Sequence, residues 1–350
     1  MTEGFNIMLV LALEAYGKMV VQERPDPVAG DGEVLISTIA TGICGSDIHG
    51  LTGETGRRVP GQVMGHETVG RVSAMGPSTG AAGFSVGDLV TFNPVVPCGR
   101  CDASRSGEWQ HCEDRVLIGV DSTTVAAFAQ YVVVPESNVV SISETMPETY
   151  GALIEPLAVA FHAVRRVVVH KDDKILVVGG GPIGQSVILA ARRSGASGII
   201  VSEIDPDRRE LCEQIGAVAI DPGQEDVQAA VRRQFGSLAD VSIDAVGIGK
   251  TLADAIEATK LGGRICLVGM GAPVISLDAY QVSTADKSIV GSFTYSDGDF
   301  RDAAKWVSSG PSELARLISL EVPLEEAPSL FTRLAAHDGT PGKVLVRFDS

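Results

Sequence analysis

A glycine-rich turn that directly follows an apolar strand constrains the fold of this chain more than any other feature. Residues 174–178 read Lys-Ile-Leu-Val-Val and lead into Gly179-Gly-Gly-Pro-Ile-Gly184, which matches G-x-G-x-x-G. Glycines at these positions allow a tight turn, close approach of a diphosphate to the backbone, and close packing of the next helix on the strand. The N-terminus of that helix offers free amide groups and the positive end of its dipole. The turn therefore predicts a dinucleotide-binding α/β fold.

An acidic residue ends the second strand of this region. Glu203 follows the apolar residues 198–202 and lies nineteen positions after Gly184, where a carboxylate accepts hydrogen bonds from the adenosine ribose and repels a 2′-phosphate. This predicts NAD rather than NADP. Arg208 has two interpretations: its guanidinium tolerates a nearby 2′-phosphate, or it is an exposed helix residue. The alternative is a structural glycine turn beside a solvated Glu203. The residues that we assign to the cofactor are Gly179, Gly181, Pro182, Ile183, Gly184, Glu203, Arg208, Val268 and Phe293.

The hydrophobic pattern divides the chain into two regions. From residue 34 to 143, short β-branched runs broken by Gly and Pro predict an irregular antiparallel β domain. From residue 174 to 268, apolar strands alternate with helical stretches, which is typical of a parallel sheet with crossover helices. The chain has 350 residues, and single cores stop growing near about 250 to 300 residues, so we expect two domains. The predicted strands are residues 34–40, 68–72, 88–92, 130–134, 174–178, 198–202, 241–244, 264–268 and 342–348, and the predicted helices are 184–194, 208–215, 251–260 and 299–308.

The charge balance excludes several classes of partner. The chain carries 28 Lys and Arg against 44 Asp and Glu, a formal charge of −16, which repels nucleic acids and anionic membranes. Its longest early apolar run, residues 7–13, is too short for a membrane span and follows no basic residue as a secretory signal would. We therefore expect a cytoplasmic protein that binds neither nucleic acid nor membrane. In a reducing compartment, clustered cysteines indicate metal more often than disulfides.

Short glycine-flanked turns of the β region carry a thiol, an imidazole and a carboxylate. Residues 42–49 contain Cys44, residues 65–67 read Gly-His-Glu, and Glu155 lies in Ile-Glu-Pro-Leu. Zinc accepts such S, N and O ligands in a four-coordinate site with one position open to water or substrate. Each residue alone has an ordinary interpretation, since a buried Cys is usually a small hydrophobic side chain. Together they predict a catalytic metal site.

Six segments, in this order, resemble the medium-chain zinc-dependent dehydrogenase and reductase superfamily, and within it the sorbitol, polyol and sugar dehydrogenase branch. They are residues 18–30, 42–49, 61–70, 98–112, 155–156 and 179–184, so the resemblance covers nearly the whole chain. It implies a Rossmann doubly wound domain over residues 159–293 and a partly open, GroES-like β-barrel over residues 1–158 and 294–350. The active site is expected in the cleft between them.

The resemblance also implies the ligands of a catalytic zinc. Cys44 and His66 are expected to hold the metal, with Glu67 and Glu155 supplying carboxylate either directly or through the zinc-bound water. Asp47 is expected to orient one of the ligands. Which of the two glutamates ligates directly stays open at this point.

The resemblance assigns a proton relay as well. Ser46 resembles the hydroxyl that takes the proton of the substrate, and His49 resembles the solvent end of a relay through the cofactor ribose. The implied reaction is reversible, NAD-linked oxidation of a secondary alcohol, a small molecule such as a polyol, sugar or sugar acid. Zinc lowers the pKa of a bound alcohol, and nicotinamide accepts the hydride.

The second zinc site of the family departs from its pattern here. The family uses four cysteines spaced C-x2-C-x2-C-x7-C, whereas this chain has Cys98, Cys101, Ser104 and Cys112. A neutral serine hydroxyl is a poor zinc ligand, so we expect this second site to be empty and the chain to bind one zinc ion. The alternative is a weakly filled site whose fourth ligand is Asp102, Glu108, His111 or water.

Two further departures concern the substrate. Polyol dehydrogenases of this branch often carry an aromatic residue just after the His49 position and an Arg within the segment 291–295, whereas this chain has Gly50 and Thr294. Both predict a substrate other than simple sorbitol or xylitol, bulkier or differently charged at its far end. The pair Arg57-Arg58 is expected either to meet a carboxylate or phosphate of the substrate or to be exposed on a flexible loop.

Two rival functions are compatible with these residues. One is a threonine-type amino-alcohol dehydrogenase or a simple alcohol dehydrogenase on the same scaffold. The other is a dinucleotide-binding redox sensor without catalysis, against which the intact set Cys44, Ser46, His49, His66 and Glu155 weighs. Because members of this branch are mostly tetramers, we expect a homo-oligomer, and a tetramer rather than a dimer.

Overall fold

A computed structural model describes residues 6–54, 56–122, 125–336 and 338–348. The chain forms two compact units, one of Met1–Glu155, Ser296–Asp338 and Lys343–Ser350 and the other of Pro156–Tyr295 and Gly339–Gly342. The predicted junctions after residues 158 and 293 therefore fall within three residues of the observed ones. The predicted assignment of 339–342 to the first domain differs, since these four residues belong to the second unit.

The described residues form β-strands, α-helices and short 3-10 helices. The strands are β1 (Ile7–Ala15), β2 (Lys18–Pro25), β3 (Glu33–Gly42), β4 (Glu67–Met75), β5 (Leu89–Phe92), β6 (Val95–Val96), β7 (Val116–Leu117), β8 (Tyr131–Pro135), β9 (Val139–Ser141), β10 (Lys174–Val178), β11 (Gly198–Ser202), β12 (Val218–Ile220), β13 (Ala239–Asp244), β14 (Thr259–Leu267), β15 (Ser288–Gly291), β16 (Ile318–Pro323) and β17 (Lys343–Arg347). The α-helices are α1 (Gly45–Thr52), α2 (Asp102–Ser106), α3 (Ile154–Arg166), α4 (Pro182–Arg193), α5 (Pro206–Gln214), α6 (Val227–Phe235), α7 (Gly249–Glu257), α8 (Ala279–Ser283), α9 (Asp297–Ser308), α10 (Leu314–Leu317) and α11 (Ala327–Ala335). The 3-10 helices are Trp109–His111, Glu136–Asn138, Glu148–Leu153 and Leu324–Glu326.

One predicted helix ends earlier than its sequence pattern indicates. The predicted helix 251–260 extends to residue 260. In the structure, α7 ends at Glu257 and β14 begins at Thr259. The Thr259 hydroxyl donates to the carbonyl of Ala255 at 2.6 Å and lies 2.6 Å from the hydroxyl of Ser242 on β13. Tertiary contact of this buried β-branched residue with the sheet outweighs the helical pattern.

The first unit is built around a seven-stranded sheet in which β3 is central. The order is β16-β17-β3-β4-β5-β9, and β8 also pairs with β3. Along one edge of β3, residues 33–37 pair with β8 and residues 40–42 pair with β17. The pairs in this sheet are antiparallel except for β16 with β17, within the residues described. The predicted antiparallel β domain is confirmed.

Three strand ends meet at one corner of this sheet. Gly42, the last residue of β3, pairs with Glu67, the first residue of β4. Gly42 also pairs with Leu345 of β17, two residues after that strand begins at Lys343. Since Cys44 follows β3 by two residues, the sheet register alone places the thiol, Glu67 and Lys343 in one neighbourhood.

The second unit contains a six-stranded parallel sheet. Its order is β12-β11-β10-β13-β14-β15, and every pair is parallel. Numbered from β10, this is the doubly wound order 3-2-1-4-5-6, in which ligands bind at the carboxyl ends of the strands where the order reverses. The predicted Rossmann fold is confirmed.

Two glycines of the turn after β10 are required by its geometry. Gly179 has a φ of +94°, and a Cβ there would lie 2.5 Å from Cγ2 of Val246. A Cβ on Gly184 would lie 1.9 Å from the carbonyl oxygen of Gly179. Only glycine at position 184 therefore lets α4 pack this closely on β10.

We expect Gly184→Ala to lower the free energy of unfolding by about 1 to 3 kcal/mol. The carbonyl oxygen of Gly179 would lie 1.9 Å from the added methyl group and has to move. Chemical denaturation monitored by circular dichroism measures this. Gly249→Ala is the matched control, because a Cβ at the start of α7 meets no atom within 4 Å among the described residues. Equal denaturation midpoints for the two variants would contradict the prediction.

Candidate active site

The turn after β3 presents the Cys44 thiol at the start of α1. Cys44 is the N-cap of this helix, with extended backbone angles. Its amide donates to Oδ2 of Asp47 at 3.0 Å, and Asp47 is fully buried in the first turn. A carboxylate in this position satisfies an amide that would otherwise lack a partner. The Asp47 carboxylate therefore fixes the backbone that carries the thiol.

Three potential metal ligands lie together at this corner. The ligand atoms of Cys44, His66 and Glu67 are all within 4.8 Å of one another. Glu67 Oε2 is buried without a hydrogen-bond partner among the residues described, and a Cβ on Gly42 would lie only 2.3 Å from it. A buried, unpartnered acceptor beside a thiol and an imidazole fits a metal cation. These residues are therefore suited to hold the zinc ion that the sequence predicts.

The carboxylates and the thiol around His66 favour a positive charge on its imidazole. Burial by itself disfavours the charged form of His66, but Asp47, Cys44 and Glu155 outweigh burial and raise the pKa of His66 to about 10. Asp47 Oδ1 lies 3.7 Å from Nδ1 of His66, which is where a residue that orients the imidazole is expected. A field that favours a protonated imidazole also favours a metal cation in the same place.

Sequence reasoning missed Lys343, which forms a buried ion pair with Glu67. The Lys343 ammonium lies 2.7 Å from Glu67 Oε1, with side-chain exposures of 4% and 0%. It also donates to the carbonyl of Ile43 at 3.3 Å. Burial by itself would lower the pKa of Lys343, but attraction by Glu67 and Cys44 prevails and raises it. Lys343 thus engages one oxygen of Glu67 and leaves the other for a ligand.

A second buried cation, Arg58, lies beside the first turn of α1. Its Nη2 is 3.9 Å from Asp47 Oδ1 and 3.5 Å from the hydroxyl oxygen of Ser46. The Arg58 side chain is 3% exposed, so the prediction of an exposed loop pair is wrong for Arg58, whereas Arg57 is exposed. The local sequence contains no signal that separates the two, because the difference arises from packing against α1.

The two residues of the predicted proton relay lie on α1. Ser46 is half-buried, and His49 is three residues further, which places both on one side of the helix. The His49 side chain is 47% exposed, and its Nδ1 lies 2.9 Å from Glu54 Oε2. His49 therefore stands where a relay would reach solvent.

The cysteine lobe brings three thiols together. The sulfur atoms of Cys98, Cys101 and Cys112 lie within 4.8 Å of one another. The hydroxyl of Ser104 is 3.0 Å from the Cys101 sulfur and 3.4 Å from the Cys98 sulfur. This hydroxyl lowers the pKa of Cys98 to about 6, assisted by backbone amides. Ser104 therefore supplies hydrogen bonds at the corner where the family has a fourth thiolate.

The alternative fourth ligands are engaged elsewhere. Asp102 pairs with Arg105 at 2.5 Å. Glu108 accepts a hydrogen bond from Gln110 at 2.6 Å and lies 3.9 Å from His111. Within the described ranges, none of Asp102, Glu108 and His111 joins the three-thiol group. The lobe therefore offers zinc three thiols and a neutral hydroxyl.

The predicted dinucleotide site includes the glycine turn and Glu203. Glu203 is buried, and its carboxylate accepts the amide of Gly180 at 2.6 Å and the amide of Asp205 at 2.8 Å. A Cβ on Gly181 would meet only Nη1 of Arg208, at 3.8 Å. The backbone at Gly181 is thus open to a diphosphate, as the sequence predicts, and the half-buried Arg208 lies beside it.

The other residues assigned to the cofactor lie at the same edge of the parallel sheet. Pro182 and Ile183 form the first turn of α4. Val268 directly follows β14, and Phe293 follows β15 by two residues. The carboxyl ends of these strands are where a doubly wound sheet binds its ligand. The structure therefore gathers the predicted cofactor residues along one edge.

Thr294, which replaces an arginine of the family pattern, has an unusual backbone. Its φ is 49°, in the left-handed region that β-branched residues rarely adopt. Its hydroxyl is buried and makes no hydrogen bond to any residue that the structure describes. Conformations of this kind concentrate at functional sites.

Membrane insertion finds no support in the helices. Across the described ranges, no helix combines the length and apolar character that a bilayer span requires. The longest, α3, has 13 residues, and a span needs about 20.

Two family models match the chain. The model of the alcohol dehydrogenase GroES-like domain matches residues 30–144, and that of zinc-binding dehydrogenases matches residues 182–309. The first match lies in the sheet-rich unit and contains Cys44, His66 and Glu67. The second covers most of the parallel-sheet unit, from the first residue of α4 onward.

Three curated relatives cover most of the chain. D-xylulose reductase A of Aspergillus niger is 31% identical over 97% of this chain and 96% of its own. L-galactonate-5-dehydrogenase of Escherichia coli K12 is 30% identical over 94% and 95%. L-threonine 3-dehydrogenase of Pyrococcus abyssi is 38% identical over 75% and 76%.

Solved structures agree with these relatives. A Sinorhizobium meliloti 1021 structure, described as a zinc-binding dehydrogenase bound to NADP, superposes with a TM-score of 0.90 at 30% identity over 98% of this chain and 100% of its own. A short chain alcohol dehydrogenase of Escherichia coli CFT073 complexed with NADH superposes with a TM-score of 0.89 at 26% identity over 98% and 99%. The parallel sheet with its glycine turn, together with the thiol, imidazole and carboxylate group, is that of a metal-dependent dehydrogenase. The chain belongs to the medium-chain zinc-dependent dehydrogenase superfamily, within its sugar and polyol branch.

We expect carefully prepared protein to contain close to one zinc per chain, and Ser104→Cys to raise the content toward two. A thiolate at position 104 supplies charge and polarisability, whereas the serine hydroxyl has to ionise far above neutral pH. Elemental analysis after gel filtration measures the content. Ser106→Cys, in the exposed last turn of α2, is the control that adds a thiol outside the group. Two tightly held zinc ions in the unmodified chain would contradict the prediction.

Proposed function

We propose that the protein is an NAD-linked zinc dehydrogenase that reversibly oxidises a secondary alcohol group of a polyol, sugar or sugar acid. The grouping of Cys44, His66 and Glu67, with one unpartnered Glu67 oxygen, carries this proposal. The names of two relatives, a D-xylulose reductase and an L-galactonate-5-dehydrogenase, support this substrate class. The departures at Gly50 and Thr294 favour a substrate other than simple sorbitol or xylitol.

In this proposal, Cys44 and His66 hold the zinc ion, and Glu67 or Glu155 supplies the carboxylate. When bound, zinc lowers the pKa of an alcohol and NAD accepts a hydride. Asp47 accepts the amide of Cys44 and lies 3.7 Å from His66 Nδ1, so it contacts the segments that carry both candidate ligands. Glu155 is buried and acts electrostatically on His66, which supports its place beside the metal.

The proposed relay moves the alcohol proton to solvent. Ser46 accepts this proton, and His49 passes a proton outward from an exposed position where Glu54 orients the imidazole. The half-buried position of Ser46 in the same helix supports this order. Proton transfer by a positioned side chain typically contributes about 100-fold to 10,000-fold in rate.

The proposal of NAD over NADP rests on Glu203. Two backbone amides fix its carboxylate, so it is not free to turn away from a 2′-phosphate. The two superposed structures hold NADP and NADH, so the fold accepts either cofactor and individual side chains decide. The position of Arg208 beside Gly181 supports contact with the diphosphate that both cofactors share.

A second candidate is an amino-alcohol dehydrogenase of the threonine type. The relative with the highest identity among the three is an L-threonine 3-dehydrogenase, 38% identical over 75% of this chain. A panel of polyols, sugar acids, simple alcohols and threonine, assayed by NADH formation, separates the candidates. A redox sensor without catalysis would reduce NAD with none of them.

The assembly and the location form part of the same proposal. A homotetramer is expected from the resemblance to the polyol branch. A cytoplasmic location is supported by six free cysteines, all of which lie in the described part of the chain. Analytical ultracentrifugation tests the assembly.

The enzyme should use NAD with a kcat/KM at least about tenfold above that for NADP, because a phosphate beside a carboxylate costs about 1 to 3 kcal/mol. Glu203→Ala should lower the ratio of kcat/KM for NAD to that for NADP. Glu210→Ala removes an equal charge from an exposed position of α5 and should leave the ratio unchanged. Equal or better use of NADP by the unmodified enzyme would show that the cofactor proposal is wrong.

Removal of the metal should abolish turnover. Prolonged chelation is expected to inactivate the enzyme and added zinc to restore it, while Cys44→Ser should bind NADH, seen by fluorescence titration, without turnover. Cys101→Ser also removes a thiol, but from the lobe, and should retain activity. Full activity in a preparation verified to be metal-free would refute the zinc mechanism.

A further inference from the structure

We propose that Arg58 is a positioning residue for the hydroxyl of Ser46, the group to which the proposed function assigns the substrate proton. The inference rests on that function and goes beyond it, because neither the glycine-flanked turns nor the relatives assign a role to position 58. Its basis is the path of the Arg58 side chain along α1.

The stem of Arg58 lies over Gly50. A Cβ on Gly50 would be 2.6 Å from Cγ of Arg58 and 2.9 Å from the sulfur of Met64. Ser46 and Gly50 are four residues apart on α1 and therefore lie on one face of the helix. The Arg58 side chain thus runs from Gly50 toward Ser46, and its Nη2 reaches the Ser46 oxygen at 3.5 Å.

This path explains one departure of the sequence from its family. The aromatic residue expected just after the His49 position is Gly50 here. Any side chain at position 50 would collide with the Arg58 stem. Glycine at position 50 therefore leaves room for the Arg58 side chain beside the proton-accepting hydroxyl.

Charge balance alone does not account for this placement. A guanidinium that only neutralised Asp47 would be expected to form a close bidentate pair, because such pairs satisfy both groups. Instead Nη2 lies 3.9 Å from Asp47 Oδ1 and closer, at 3.5 Å, to Ser46. Nε is buried and has no hydrogen-bond partner in the portion of the chain described. The Arg58 guanidinium thus lies near both the Asp47 carboxylate, which fixes the Cys44 backbone, and the Ser46 hydroxyl of the relay.

The chemical consequence follows from the donors of arginine. An N–H of Arg58 occupies one lone pair of the Ser46 oxygen, which selects one hydroxyl rotamer and leaves the other lone pair for the substrate proton. During transfer the substrate O–H bond breaks and a new bond to Ser46 Oγ forms, while the original Ser46 proton passes to the next acceptor of the relay. Arg58 keeps its protons throughout, and its positive charge stabilises Ser46 Oγ as that proton leaves. The distance of 3.5 Å is long, as catalytic hydrogen bonds often are before substrate binds.

A double-mutant cycle with Ser46 tests the inference. The alcohol that is most active in the substrate panel is used with saturating NAD. Arg58→Met should lower kcat by about tenfold, less than the loss of a donor that touches the substrate directly. The KM for NAD and the zinc content should not change. In the Ser46→Ala background, Arg58→Met should have no further effect on kcat, because two residues that act through one oxygen are not additive.

Gly50→Ala provides a second variant that keeps every charge. Its methyl group should displace the Arg58 stem, so kcat should fall in the unmodified background and not in the Arg58→Met background. Gly45→Ala is the matched control on α1, since a Cβ there meets no described atom within 4 Å. Arg58→Lys, which retains the charge, should restore part of the activity lost in Arg58→Met.

The outcomes separate this inference from the proposed function. Additive effects of Arg58→Met and Ser46→Ala, an unchanged kcat in Arg58→Met, or loss of zinc from that variant would each overturn the inference and leave the dehydrogenase function intact. If Arg58→Met does not fold, a cycle of Gly50→Ala with Ser46→Ala decides instead, and additive effects or an unchanged kcat in Gly50→Ala would overturn the inference. Absence of turnover by the unmodified, zinc-loaded enzyme with every alcohol would overturn both.

Discussion

The ion pair between Glu67 and Lys343 compensates charge in the candidate metal site, on which the rest of this corner depends. A thiol, an imidazole and several carboxylates are withdrawn from water at the meeting point of β3, β4 and β17. Burial penalises such charges by several kcal/mol each, whereas two opposite charges about 4 Å apart gain about 4 kcal/mol at an effective dielectric constant of about 20. The raised pKa of Lys343 shows that attraction outweighs burial here. With Glu67 neutralised on one oxygen and Asp47 facing Arg58, the remaining negative charge would attract a metal cation.

Local pattern was sufficient to predict much of the fold. The strands at 174–178 and 198–202 were predicted with the bounds that the structure shows, because continuous apolar runs flanked by glycine are typical of a buried parallel sheet. The glycine turn was equally predictable, because its motif lies within six consecutive residues and Gly184 packs against the carbonyl oxygen of Gly179. The candidate ligands Cys44, His66 and Glu67 lie near strand or helix ends whose register brings them together.

The residues that the sequence did not predict are placed by tertiary contacts. Lys343 opens an apolar strand and pairs with a residue 276 positions earlier, which no local pattern reveals. Arg58 looks like its exposed neighbour Arg57 until α1 packs against it. Thr259 belongs to a helical pattern and is drawn into β14 by contact with Ser242. In each case a tertiary contact outweighs the local preference.

The separation of 276 residues between Glu67 and Lys343 has a consequence for the order of folding. A chain that has emerged only as far as β4 already contains Cys44, His66 and Glu67, yet the cation that compensates Glu67 has not been made. The buried corner is therefore unstable until β17 pairs with β3, and contacts of such long range form late in folding. Zinc captured by the nascent chain would be held by solvated, loosely arranged ligands. Pairing of β17 with β3 is thus the step that brings the compensating cation to the three candidate metal-binding side chains.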